Sequence, residues 1–263
     1  MKKTVPILLL IILFAGAAWY SFSRQPEPVH EILPPQLPPV APVIREQPQS
    51  AQQEEEITTY IEPEPVTVPD PLPQLSESDT AIKRDLVEIF GADPLAEYLV
   101  KSQAISRLVG TVDSLTSRQV PPQMNPIRAA DGKFITVTEG DVVTMSAQNF
   151  ARYDGFVTLM QNADTQAMVA MYQHFSPLFQ IAWEENGGQG PFYDRLLEVI
   201  DHLLETPDVP GPVYVSKYEA VYLFDDAELE AMTAGQKILV RMGSVNAELV
   251  KVKLTEIRSG LKP

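Results

Sequence analysis

One stretch of this 263-residue chain gathers most of the residue types that chemistry needs. Between Pro191 and Glu205, a helical repeat puts Asp194, Glu198, Asp201, His202 and Glu205 within about 60° of one meridian. Leu196, Val199, Ile200 and Leu203 fall on the other side. Glu198 and His202 are i, i+4 neighbours, and a carboxylate one turn from an imidazole can bind a divalent metal or share a proton. The spacing is E-x-x-x-H, which matches neither the H-E-x-x-H of zinc proteases nor the E-x-x-H of di-iron bundles. A metal here needs ligands from a second helix, and His174 is the one spare imidazole a helix offers. The plainer expectation is a solvated acidic face with no metal, Glu198 and His202 being weak candidates. His174 sits in a Met- and aromatic-rich stretch and is expected to be packed.

Four further groups carry polar chemistry. Arg152-Tyr153-Asp154 interrupts an apolar helix, and Tyr193-Asp194-Arg195 repeats the same residue types. Charges in or near a core must pair, because an unpaired buried charge costs several kcal/mol. The two triplets are expected to form a buried network joining their helices; the alternative is a polar pocket with Arg152 and Arg195 as forked donors to an anion. Lys237 and Arg241 are i, i+4 on a short helix and predict a local positive patch, either solvated or a docking site. The loop Asn186–Gly190 precedes a helix start, but no G-x-x-x-x-G-K-[ST] or G-x-G-x-x-G accompanies it, so it reads as a turn.

What the chain lacks is equally informative. Zero Cys removes disulfides, thiolate nucleophiles and Cys-based metal sites. No G-x-S-x-G elbow is present, and no carboxylate spacing selects an acid–base pair. A net charge of −15 argues against nucleic acid as a partner. No catalytic residue and no cofactor are expected.

The elements that must position these residues can be read from periodicity and caps. Ser76 is expected to cap a first helix ending at Gly91, and Asp93-Pro94 to open a second that stops at Pro121-Pro122. Phe134–Thr138 and Val142–Met145 predict a hairpin. Ser146 caps a third helix. Asp164 caps a fourth, kinked or split at Ser176-Pro177. Pro191 opens the fifth, which ends near Glu205. Short β pieces at Val213–Val215 and Ala220–Phe224 precede helical turns introduced by Asp225-Asp226 and Thr233. Ser244 caps a last helix to about Ser259.

The amino-terminal part of the chain predicts an address. After Lys2 and Lys3, residues 4–23 form a 20-residue uncharged run closed by Arg24. At ~1.5 Å per residue this spans roughly 30 Å, one hydrocarbon core. Lys2-Lys3 favours a cytoplasmic tail at 1–3, and Trp19-Tyr20 suits the far interface. Cleavage after Ala17, as in a signal peptide, is the competing reading, and both readings export the same domain. Residues 24–74 predict a disordered stalk: 13 Pro lie between Pro26 and Pro73, among Glu and Gln. Residues 75–263 predict a mainly α globular domain with a few short strands. From Gln74 onward 26 acidic residues face 16 basic ones, a net −10.

Three strings, NFARYDGFV (149–157), FYDRLLEVIDHLL (192–204) and AGQKILVRMG (234–243), together resemble an uncharacterised proteobacterial family, domain of unknown function 3014. The resemblance covers roughly residues 75 to 260. It implies an envelope protein with a single N-terminal membrane segment and supplies no activity, ligand or catalytic residue. The expectation is therefore a non-enzymatic binding or scaffold protein, anchored in a bacterial inner membrane through residues 4–23, with its domain in the periplasm and a protein or cell-wall partner. The alternative is a periplasmic hydrolase or metal-dependent enzyme using the acidic face with His202.

Overall fold

The computed structural model describes residues 71–92, 102–126, 133–219 and 221–261. The expected tail, anchor and nearly all of the stalk lie outside these residues, as do Asp93-Pro94 and Ala220. Among the described residues the chain is mainly helical, with eight α-helices and two small antiparallel sheets. The helices are α1 (Asp79–Phe90), α2 (Ala104–Ser114), α3 (Gln148–Asn162), α4 (Thr165–Glu185), α5 (Phe192–Leu204), α6 (Ala227–Ala231), α7 (Ala234–Met242) and α8 (Ser244–Gly260). Strands β1 (Thr136–Glu139) and β2 (Val142–Met145) form one hairpin, and β3 (Val215–Tyr218) and β4 (Val221–Phe224) the other. No described helix is long and apolar enough to cross a membrane.

The first helix begins later than its sequence suggests. Ser76 falls in a 3-10 turn, Leu75–Glu77, and the Ser78 hydroxyl donates to Leu75 O at 2.7 Å. Asp79, which stands three residues after Ser76 in the spacing of a capping box, is spent elsewhere: its carboxylate accepts from the backbone N–H groups of Gln103 and Ala104, each at 2.8 Å. It thus caps α2 from 24 residues away, where Gln103 turns through a left-handed φ of 54°.

Helix α4 is the central element, touched by α1, α2, α5 and α8. Asp164 caps it as expected, accepting from Gln166 and Ala167. Of the two expectations at Pro177, the split into two helices does not occur; one helix runs through it for 21 residues. Proline removes the N–H that would bond the carbonyl four residues back. That carbonyl belongs to Gln173, and the Ser176 hydroxyl donates to it at 2.9 Å. Phe175, Phe179 and Phe192 are the largest fully buried side chains, with Phe179 stacked on Phe192 of α5 at 5.9 Å between centroids.

A second, smaller cluster lies under the sheets: Met145, Val213, Val215, Phe224 and Val240. The hairpins are joined by a bridge between Thr144 and Tyr214, and Met145 N–H donates to Val213 O at 2.9 Å. This moves β3 off its expected start at Val213. The carbonyl of Val213 is used to reach β2, while that of Tyr214 accepts from Asp225 N–H at 3.1 Å just past β4, and strand pairing with β4 begins at Val215↔Phe224.

Candidate functional site

Helix α7 decides the fate of the predicted positive patch. Thr233 caps it through a capping box with Gln236. The amides of Ala234 and Gly235 donate to Ser117 O (2.7 Å) and Leu115 O (3.0 Å). A Cβ on Gly235 would stand 3.0 Å from the backbone oxygen of Leu115 and 2.5 Å from Leu203 Cδ2, so glycine suits this close approach to the end of α2. With its start pinned to the end of α2, the helix is buried nearly all round. Lys237 and Arg241 are 3% and 4% exposed, which overturns the expected solvated or docking patch.

Both cations serve the junction between helices and sheets. Lys237 Nζ meets Glu230 Oε1 at 2.5 Å, and Glu230 Oε2 accepts from Phe224 N–H at 3.0 Å. The Arg241 guanidinium lies 4.8 Å over the Phe224 ring, a cation–π contact. Burial lowers the pKa of Lys237, against the pull of Glu230, and Arg241 and Arg118 lower it further. Burial also lowers Arg241, offset by Tyr153 and Glu230. Tyr153, 6% exposed, is raised by burial and drawn back by Arg241 and Arg152. The fold thus brings Arg152, Tyr153, Lys237 and Arg241 into one electrostatic neighbourhood that sequence spacing did not foretell.

The two triplets do not join each other. Asp154 accepts from Asn246 Nδ2 of α8 at 3.0 Å, and Arg152 reaches Asn149 Oδ1 at 3.5 Å. Tyr193 donates to Leu261 O at 2.7 Å. Arg195 Nε pairs with Asp113 Oδ1 at 2.8 Å, and its Nη2 donates to Thr116 Oγ1 at 2.6 Å. Asp194 is exposed at the start of α5. The expected helix-to-helix network is corrected: one triplet ties α3 to α8, the other ties α5 to the end of α2 and the tail of α8.

The acidic face of α5 is likewise divided. Glu198 Oε2 pairs with Arg195 Nη1 at 2.9 Å. Asp201 takes both arms of Arg258, whose hydrogen bonds hold its carboxyl below the usual range. His202 Nε2 shares a hydrogen bond with Thr233 Oγ1 at 2.9 Å, beside the α7 cap. Glu198 and His202 are drawn to different partners. Among the described residues no group of three His, Asp or Glu stands close enough to hold a metal ion. His174 is half-buried with its ring edge-on to Phe175.

Among the buried polar residues that sequence reasoning missed, three join distant elements. Asn149, 1% exposed, donates to Ile135 O (2.6 Å) and Ser146 O (2.8 Å) and accepts from Ile135 N–H (3.0 Å), so its amide stands in for a strand neighbour at the entry to β1. Asn246 bridges Phe150 O and Asp154. Lys253 spends its ammonium on Glu256, Ala163 O and Thr165 Oγ1. Asn149 did stand in a string singled out for family resemblance; Asn246 carries no local signal because its partners lie more than 90 residues away, and Lys253 shows locally only an ordinary i, i+3 pair with Glu256, its burying partners Ala163 and Thr165 being about 90 residues away.

The model of the family described as Protein of unknown function (DUF3014) matches residues 104–258, more than half of the chain. The chain belongs to this family. No curated protein and no solved structure matches it. The matched span contains all three strings, and each now has a structural reason: the α3 clamp on β1, the α5 core face with its ties, and buried α7.

The DUF3014 region also presents one apolar face to solvent. Side chains alternate across a strand, and the buried Met145, Val215 and Phe224 mark the inner face of the sheets. Ile135, Val137, Val142, Tyr214 and Tyr218 fall on the outer face, 38% to 56% exposed. Eight large hydrophobic side chains are exposed among the described residues, and five of them are here, which separates this face from scattered surface residues. Thr144↔Tyr214 bridging makes the two hairpins one continuous face.

Proposed function

We propose that this protein is a binding and scaffold component of the bacterial cell envelope. Residues 4–23 anchor it in the inner membrane, residues 24–74 project it, and the periplasmic domain engages a protein or cell-wall partner through its outer sheet face. The observation that carries this reading is that face: apolar and aromatic side chains left in water, on a sheet whose underside is fixed by Glu230, Lys237 and Arg241. A rigid, partly apolar surface of this kind fits recognition better than chemistry. Glu230, Lys237 and Arg241 beneath it are occupied in holding elements together, so they are supports for the surface. A tether adds to this by raising the local concentration of the domain near its target.

Protease added to spheroplasts tests the placement. The domain is digested from outside while a tag at the N-terminus is protected. A full-length chain in the cytosolic fraction, untouched by the protease, contradicts the proposal. Deleting residues 26–70 tests the tether: partner recovery from solubilised membranes falls, and equal recovery with and without the stalk argues against it.

A further inference from the structure

Strand β1 pairs with β2 along one edge, and among the described residues nothing pairs with its other edge. The two-residue turn Gly140-Asp141 makes Glu139↔Val142 a hydrogen-bonded pair, and such pairs alternate along an antiparallel ladder. Val137 and Ile135 therefore also turn their N–H and C=O groups towards β2 and the clamp behind it. Ser146 N–H donating to Ile135 O at 3.0 Å agrees with this alternation. Phe134, Thr136 and Thr138 then direct their backbone groups outward, a row of unpaired donors and acceptors.

The sequence of this edge, Lys-Phe-Ile-Thr-Val-Thr-Glu over 133–139, is complementary to itself when read antiparallel about Thr136. Thr136 then faces Thr136 of a second copy, and Phe134 faces Thr138. These are the outward-directed residues, so their backbone groups satisfy one another. On the outer face, Ile135 meets Val137 and Lys133 meets Glu139. Lys133 and Glu139 are both exposed, so the charge pairs sit at the two ends of the contact. Two copies with a net charge of −15 each repel, and a self-contact must be locally neutral; this segment carries one positive and one negative residue. We propose that two copies of the chain join edge to edge through β1, in an antiparallel register centred on Thr136. The join carries the apolar strip of Val142, Val137 and Ile135 across the two-fold axis into its twin, enlarging the outer face.

Because the chain has no Cys, single substitutions report cleanly. Full-length Ile135→Cys and Val137→Cys proteins are oxidised mildly, alone and mixed. The mixture gives a disulfide-linked dimer, since opposed residues at non-hydrogen-bonded positions stand about 4.5 Å apart between Cα atoms. Each variant alone does not, because neither residue faces its own copy. Adding Thr136→Pro to both cuts the mixed cross-link at least tenfold; proline is tolerated where the strand N–H points outward, and far-UV circular dichroism checks that the fold is kept. Glu139→Lys weakens the dimer about tenfold in sedimentation, and Lys133→Glu/Glu139→Lys restores it. Equal cross-linking in the single variants and the mixture, no cross-link in the mixture, or no rescue by the charge swap overturns the proposal.

Discussion

Asn149 shows how one buried side chain can decide an element. It supplies three hydrogen bonds at the start of β1, and Asn149→Ala strands the N–H of Ile135, whose C=O keeps only the Ser146 N–H. An unsatisfied buried polar group costs about 1–3 kcal/mol, so the variant should lose about that much in urea unfolding. Lys237 makes a second residue-scale prediction. Its folded pKa lies below 10.5, so between the two values the unfolded chain binds more protons and stability rises with pH. Tyr153, raised by burial, acts the other way above pH 10. The comparison is therefore wild type against Lys237→Met across the alkaline range: the variant lacks the Lys237 rise. Asp201 gives the acid counterpart. Its lowered pKa contributes stability above the unfolded carboxylate range, lost as pH falls through the folded value. Asp201→Asn should flatten that acid loss slightly, the pair being half-exposed.

At the scale of elements, the turn between α7 and α8 is constrained both in conformation and in space. Gly243 has φ 79°, and a Cβ there would meet the Phe150 ring at 2.7 Å. Gly243→Ala combines left-handed strain with overpacking and should cost about 2–4 kcal/mol in denaturant melts. Gly140, φ 61° with open space around it, should lose only about 1 kcal/mol as Ala. Element type was legible where periodicity and caps agreed: Asp164, Thr233 and the α5 core face stand where the pattern puts them. It was not legible where a residue's partner lies far along the chain. Asp79 has the spacing of a capping-box partner to Ser76 and serves α2 instead; Ser176-Pro177 has the look of a kink or a split, yet the helix is continuous there and the serine hydroxyl takes up the carbonyl that proline frees. The candidate site was misread for the same reason. Lys237 and Arg241 have the spacing of an exposed pair, and what buries them is the packing of α7 between the end of α2 and the sheets, which no local signal encodes.

For the whole molecule, the proposed division of labour gives recognition to the outer sheet face and structural work to the buried charges. The measurement that tests this most directly is in-cell photo-cross-linking from the full-length chain, with a benzophenone side chain at Tyr218 in one strain and at Glu198 in another. Tyr218 is on the sheet face and Glu198 on the acidic face of α5, and both are exposed. Discrete adducts are expected from position 218 and none above background from 198. Adducts confined to 198, with 218 silent, contradict this division.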